Sequence, residues 1–264
     1  MNVALPAGIQ LPEIAGTTLV SFVLVMARVG PLFLLAPVLS SPLQPGRAKS
    51  IMALGIAVAL TPIAGENVRV PTDPIVLATT LAQEFGVGIA FALSLAVLSA
   101  AVQLGAGILD TLVGFSFGGL VDPMTGNNAS VLGRVYLIFA TMIFVVSGGV
   151  RLMVLGIARS YDVVPLGKFP APAALGRLAS DALTALPVIG LELVGPVILA
   201  VVVADSAFGL VSRAVPQMNV FVVGLPIKVI LSFGVVATSL PFVDAHLQSD
   251  LQQSISDALR ALGG

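Results

Sequence analysis

The 264-residue sequence contains no cysteine and a single histidine, His246. Without thiols, disulfide bonds and thiol chemistry are excluded, and the compartment is left open. Charge is also scarce. Only 9% of residues are Asp, Glu, Lys or Arg, against roughly a quarter in soluble domains. A net charge of −1 supplies no field to attract nucleic acid, so no nucleic-acid partner is expected. The N-terminus lacks a basic patch, the first basic residue being Arg28. A cleaved signal peptide needs such a patch, so the first apolar segment is expected to stay in the mature protein. Period-two alternation is missing too, which disfavours a β-barrel and leaves helices. No cofactor and no metal site are expected.

What the chain has instead is apolar surface: 57% hydrophobic residues and a mean hydropathy of +1.08. Apolar blocks stand out at roughly 14–39, 50–64, 75–109, 131–157, 183–212 and 214–243. The run 85–109 is uncharged for 25 residues, enough to span a bilayer. The block 50–64 is short for a span. The expectation is an all-α integral membrane protein of about six hydrophobic helices, broken by proline and glycine and arranged in hairpins. Small residues at contact spacing (Gly86 and Ala90, Gly88 and Ala92, Gly105 and Gly107, Gly148 and Gly149) would let helix backbones approach closely.

Several blocks carry charges: Arg28, Arg151, Glu192, Asp205 and Lys228. Each would cost about 3 kcal/mol if left facing lipid. They either pair within the fold or face water or neighbouring subunits, and Arg28 and Lys228 could pair inside the chain or across an interface. Pro31, Pro37, Pro187, Pro196, Pro216, Pro226 and Pro241 are expected to bend or break their helices. Six alternating spans put Arg47, Lys49 and Arg213 on one side and Arg69, Arg159, Lys168 and Arg177 on the other. The positive-inside count therefore gives no orientation. The polar stretch 158–182 reads as a hinge. In the tail, Leu247, Leu251, Ile255, Leu259 and Leu262 form the stripe of a short amphipathic helix. Its polar face is not basic, so it is expected to pack on protein rather than anionic lipid.

Gly114-Phe115-Ser116-Phe117-Gly118 spells the G-x-S-x-G of a serine-hydrolase nucleophile elbow. That motif needs a strand before the serine and a helix after it. A long apolar helix precedes Ser116 instead, and Gly118-Gly119 and Pro123 follow. The histidine sits in the amphipathic tail, away from any sheet pattern, and the hydrolase reading is set aside. Glycines 114, 118, 119 and 126 with Phe115, Phe117 and Met124 suit a loop that fills a constriction and moves out of it. They equally suit a tight loop that packs its rings into the local core.

Three long stretches carry a resemblance. GFSFGGLVDPMTGNNASVLGRVY (114–136), continued by FATMIFVVSGGVRLMVLGIARSYDVVPLG, is similar to the FliR family of flagellar export-gate proteins. FGLVSRAVPQMNVFVVGLPIKVIL (208–231) and RVGPLFLLAPVLSSPLQPGRAKSIMALGIAVALTP (28–62) resemble the same family. The match runs in order through nearly the whole chain and reads as the flagellar rather than the injectisome branch.

The resemblance implies a non-enzymatic, single-copy subunit of the type III export gate, in the inner membrane at the flagellar basal body. Its implied partners are FliP-like and FliQ-like membrane proteins in a right-handed helical cone. Other export-apparatus and basal-body components, membrane lipid and unfolded flagellar proteins in transit complete the set. Residues 1–180 would form a FliP-like part and 181–264 a FliQ-like hairpin ending in the amphipathic helix. The segment of about 106–126 would plug the channel, with Gly114, Phe115, Ser116, Phe117, Gly118, Gly119 and Met124 as its substance. Arg28, Arg134, Arg151, Asp205, Arg213 and Lys228 would be structural or interface charges. The alternative is a stand-alone secondary transporter with an intramembrane charged substrate site near Arg151, Glu192 and Asp205.

Overall fold

The computed structural model describes residues 11–37, 39–40, 45–64, 73–115, 131–217 and 219–263. Among these there are seven helices and no strand: α1 (Leu11–Leu35), α2 (Gly46–Ala64), α3 (Pro74–Val113), α4 (Val131–Val146), α5 (Gly149–Val163), α6 (Pro172–Ala214) and α7 (Val220–Gly263). Five are long and apolar enough to cross a membrane, or six if the bent pair α4–α5 counts as one span. The protein is thus an all-α membrane protein, as the composition requires.

Local sequence explains where the helices start. Asp73 caps α3, its Oδ1 accepting from the Ile75 amide at 2.8 Å, with Pro74 at the first helical position. Asn219 caps α7 by accepting from the Val222 amide. Pro172 opens α6.

Of the prolines expected to bend or break helices, Pro37 and Pro216 lie just past the ends of α1 and α6. Pro31, Pro62, Pro187, Pro196, Pro226 and Pro241 all lie inside continuous helices. Among the described residues of the long apolar blocks, a sharp bend falls in the fourth. That block bends by 66° between α4 and α5, at Gly148, whose φ of 77° falls in the left-handed region that favours glycine. The expected hinge at 158–182 contracts to the eight residues between α5 and α6. The tail is not a separate helix but the end of the 44-residue α7. Packing along these helices outweighs the loss of single backbone hydrogen bonds at proline.

The described residues form two compact units. The first draws on Met1–Leu93, Met153–Leu178 and Ser256–Gly264, the second on Ser94–Leu152 and Ala179–Ile255. In the first, α1 packs on α2, and Val87, Val164 and Leu262 form a small core with Leu175. In the second, a larger core gathers Leu109, Leu132, Tyr136, Val197, Val236 and Leu247. The tail stripe is used within the chain: Leu247, Leu251 and Leu262 are buried. Glycine permits one helix crossing in the second unit. A Cβ on Gly105 would strike the Gly190 carbonyl oxygen, and one on Gly190 would lie 2.7 Å from the Ala101 oxygen. Gly107, the other half of that expected contact pair, has open space around it.

Candidate functional site

In the first unit the basic residue of α1 is sealed. Arg28 and Glu84 have fully buried side chains, and Arg28 Nε donates to Glu84 Oε2 at 2.6 Å. The Arg28 Nη1 group donates to the carbonyl oxygens of Ser160 (3.2 Å) and Val164 (2.9 Å) and to Ser160 Oγ (3.3 Å). Those carbonyls lie at and just past the C-terminus of α5, where helical partners run out and a cation is favoured. Glu84 Oε1 accepts from the Gly167 amide at 2.8 Å, at a residue with φ of 80°. The guanidinium also lies over the Tyr161 ring, 4.3 Å from its centroid. One ion pair therefore fixes α1, α3, the end of α5 and the turn that follows it.

Close approach makes this possible. A Cβ on Gly88 would collide with the Arg28 carbonyl oxygen, so α3 can meet α1 at that height only through glycine. Gly86, by contrast, faces the Phe169 ring at an ordinary 3.6 Å.

In the second unit the glycine-rich segment leaves α3 at a defined point. The Gly114 amide donates to the Asp110 carbonyl oxygen at 3.1 Å, and Gly114 has a φ of 105°. Phe115 is partly buried and packs against the core of the unit. Asp110 is itself buried, and its Oδ1 accepts from the Leu132 amide at 2.9 Å, in the first turn of α4. Ser116, Phe117, Gly118, Gly119 and Met124 lie outside the described residues.

The α6–α7 pair carries the second ion pair. Lys228 Nζ lies 2.8 Å from Asp205 Oδ1 and 3.1 Å from Oδ2. Its side chains are 16% and 47% exposed, amid exposed Val202, Ile227 and Ile230. Arg134, Arg151 and Arg213 are exposed and make no ion pair among the described residues. His246 Nδ1 lies 2.9 Å from the Phe242 carbonyl oxygen one turn back, which accepts from it when that nitrogen carries the proton, and the imidazole lies against the Phe242 ring.

Large apolar side chains face outward on α2, α4, α6 and α7, among them Ile51, Val58, Val146, Leu199 and Leu210. Water is a poor neighbour for them, and lipid or other membrane proteins a good one.

Sequence reasoning found Arg28, Asp205 and Lys228 as charges needing partners, and the structure pairs all three within the chain. It missed Glu84 and Asp110 as working residues. The available signal was their isolation, since they are the only acids in the 40 residues of α3.

A family model described as "Bacterial export proteins, family 1" matches residues 19–254. The chain is 27% identical over 240 residues to the flagellar biosynthetic protein FliR of Escherichia coli (strain K12), covering 90% of this chain and 92% of that protein. It is 31% identical over 150 residues to the protein of the same name from Bacillus subtilis (strain 168), covering 56% and 58%. Its identity to the surface presentation of antigens protein SpaR of Salmonella typhimurium is 26% over 208 residues, 76% of each chain.

Proposed function

The chain belongs to the bacterial export proteins, family 1, and on that premise we propose that it is a non-enzymatic subunit of the flagellar type III protein export gate. In this reading it resides in the bacterial inner membrane at the flagellar basal body. It assembles with FliP-like and FliQ-like proteins and helps to form and plug the channel through which unfolded flagellar proteins pass. The observation that carries the reading is the match to a flagellar biosynthetic protein over nine-tenths of both chains.

Physical features support it. Apolar side chains bared along α2, α4, α6 and α7 suit helices that meet neighbouring membrane proteins. The two longest helices, α6 and α7, joined by five residues, suit a FliQ-like hairpin at 181–264, with 1–180 as the FliP-like part. The glycine-rich segment of about 106–126 is the proposed plug; its residues up to Val113 belong to α3, and the chain leaves that helix at Gly114. A secondary transporter would draw on Asp205 for its substrate, but that carboxylate is engaged by Lys228.

The test is the intact mass of the tagged chain in mild detergent, co-expressed with the FliP-like and FliQ-like proteins of its own genome. A single large complex with one copy of this chain is the expected result. A lone 26.8 kDa species that never acquires a partner would overturn the reading. Replacing Gly114 through Gly119 by a shorter linker is expected to make the membrane leak small ions, and unchanged leakage would remove the plug role.

A further inference from the structure

We infer that the sealed Arg28–Glu84 pair is completed by one bound water, held between Arg28 Nη2 and the Tyr161 hydroxyl. The ligand is thus a small neutral polar molecule in a buried site. This holds whatever assembly the chain joins.

Two polar atoms of this cluster are buried without a hydrogen-bond partner among the described residues, Arg28 Nη2 and Tyr161 Oη. Arg28 is 0% exposed and Tyr161 6%, so bulk solvent reaches neither. The other side-chain polar atoms of the pair are engaged. Arg28 Nε and Nη1 donate to Glu84 Oε2, Ser160 and Val164, and Glu84 Oε1 accepts from Gly167. The two unmatched atoms belong to side chains in contact, because the guanidinium carbon lies 4.3 Å from the centre of the Tyr161 ring. The charges of Arg28 and Glu84 both act on the Tyr161 hydroxyl, so it belongs to the same cluster.

A guanidinium N–H left unmatched in an apolar interior is costly. The face of the Tyr161 ring relieves part of that cost, but stacking offers nothing to the hydroxyl. The neighbours select the ligand. A cation is repelled by the guanidinium. An anion would have to share it with Glu84, whose carboxylate already balances the charge at 2.6 Å. A water meets neither obstacle: its oxygen accepts from Nη2, and one of its hydrogens is donated to Tyr161 Oη. Two such partners are the fewest that hold a buried water. Tyr161 then serves the pair twice, through the face of its ring and through its hydroxyl.

Two measurements on the full chain test this. The first needs no variant. It is an electron-density map of crystals grown from mild detergent, at a resolution that shows ordered water elsewhere in the molecule. One isolated peak within hydrogen-bond reach of both Nη2 and Oη is expected, and its lack would overturn the inference.

The second is the sign of a stability change. Tyr161→Phe keeps the ring and deletes the hydroxyl. Losing one of the water's two partners is expected to lower the unfolding midpoint by about 2–4 °C. A dry, unmatched hydroxyl would behave in the opposite way, since deleting it relieves a buried polar group. An unchanged or raised midpoint would therefore overturn the inference. The same substitution beside Arg28→Met and Glu84→Leu, where no guanidinium remains to hold the water, is expected to cost nothing. An equal loss in both backgrounds would assign the effect to packing alone and remove the bridge.

Discussion

The molecule holds two ion pairs of similar chemistry in opposite settings. Arg28 and Glu84 are sealed from solvent, whereas Lys228 and Asp205 keep 16% and 47% of their side chains exposed. The sealed pair is embedded in further bonds, to Ser160, Val164 and Gly167, which repay part of the cost of removing two charges from water, while Arg28 Nη2 stays buried without a hydrogen-bond partner among the described residues. The open pair has just its own two contacts among the described residues, and nearly half of the Asp205 side chain faces outward. The difference teaches that charge within an apolar helix has no single meaning. The first pair holds four parts of a fold together, and the second neutralises a hairpin.

The largest expected effect comes from removing one member of the sealed pair. Arg28→Ala leaves Glu84 buried without its cation and frees the carbonyls at the end of α5. Such a loss costs about 3–5 kcal/mol, a large share of the stability of a typical protein. Thermal or denaturant unfolding in mild detergent would show it as a greatly lowered midpoint or as failure to accumulate. The double change Arg28→Met with Glu84→Leu is expected to recover much of the loss, because no lone charge remains. A double variant as unstable as the single one would mean that the hydrogen bonds to Ser160, Val164 and Gly167 outweigh the unpaired charge.

A smaller effect is expected from the contact that seats this pair. Gly88→Ala places a methyl group against the backbone oxygen of Arg28, an atom that cannot swing aside. α1 and α3 must separate by a fraction of an ångström, at about 1–3 kcal/mol. Gly107→Ala, in the same helix with open space around it, is the control and is expected to be neutral or slightly stabilising. Equal midpoints for the two variants would show that the sealed pair does not depend on close approach.

Much of this was legible in the sequence for physical reasons. Long uncharged runs force membrane helices, and the lone charges Arg28, Asp205 and Lys228 announced themselves by their cost. What could not be read was which partner each takes. Glu84 is 56 residues from Arg28, and no local period relates them. Proline marks helix ends at Pro37 and Pro216 but does not break the helices it lies inside. A chain scale of single residues suggests breaks at Pro187, Pro196, Pro226 and Pro241, yet each lies within an unbroken helix, because tertiary packing decides there. The 66° bend falls instead at Gly148, where a left-handed residue permits it. The glycine-rich segment was visible from its composition, but the contact of Asp110 was not. Asp110 looked like the end of an apolar block, and only the fold brings Leu132 to it.

The open pair supplies the smallest effect and the sharpest control. Asp205→Asn removes a charge that is 47% exposed on the outer face of the hairpin, and Lys228 keeps an amide oxygen as a neighbour. Exposed pairs are worth about 1 kcal/mol or less, and polar contacts between membrane helices average about the same. The expected shift in the unfolding midpoint is therefore a small fraction of that for Arg28→Ala. Added salt should shrink it further, since screening acts on exposed charges and scarcely on buried ones. Exchanging the residues, Asp205→Lys with Lys228→Asp, should restore wild-type behaviour, because nothing but mutual neutralisation holds this pair in place. A loss in Asp205→Asn as large as that in Arg28→Ala, insensitive to salt, would mean that the carboxylate is as sealed as Glu84 in solution, and exposure would then no longer separate the two pairs.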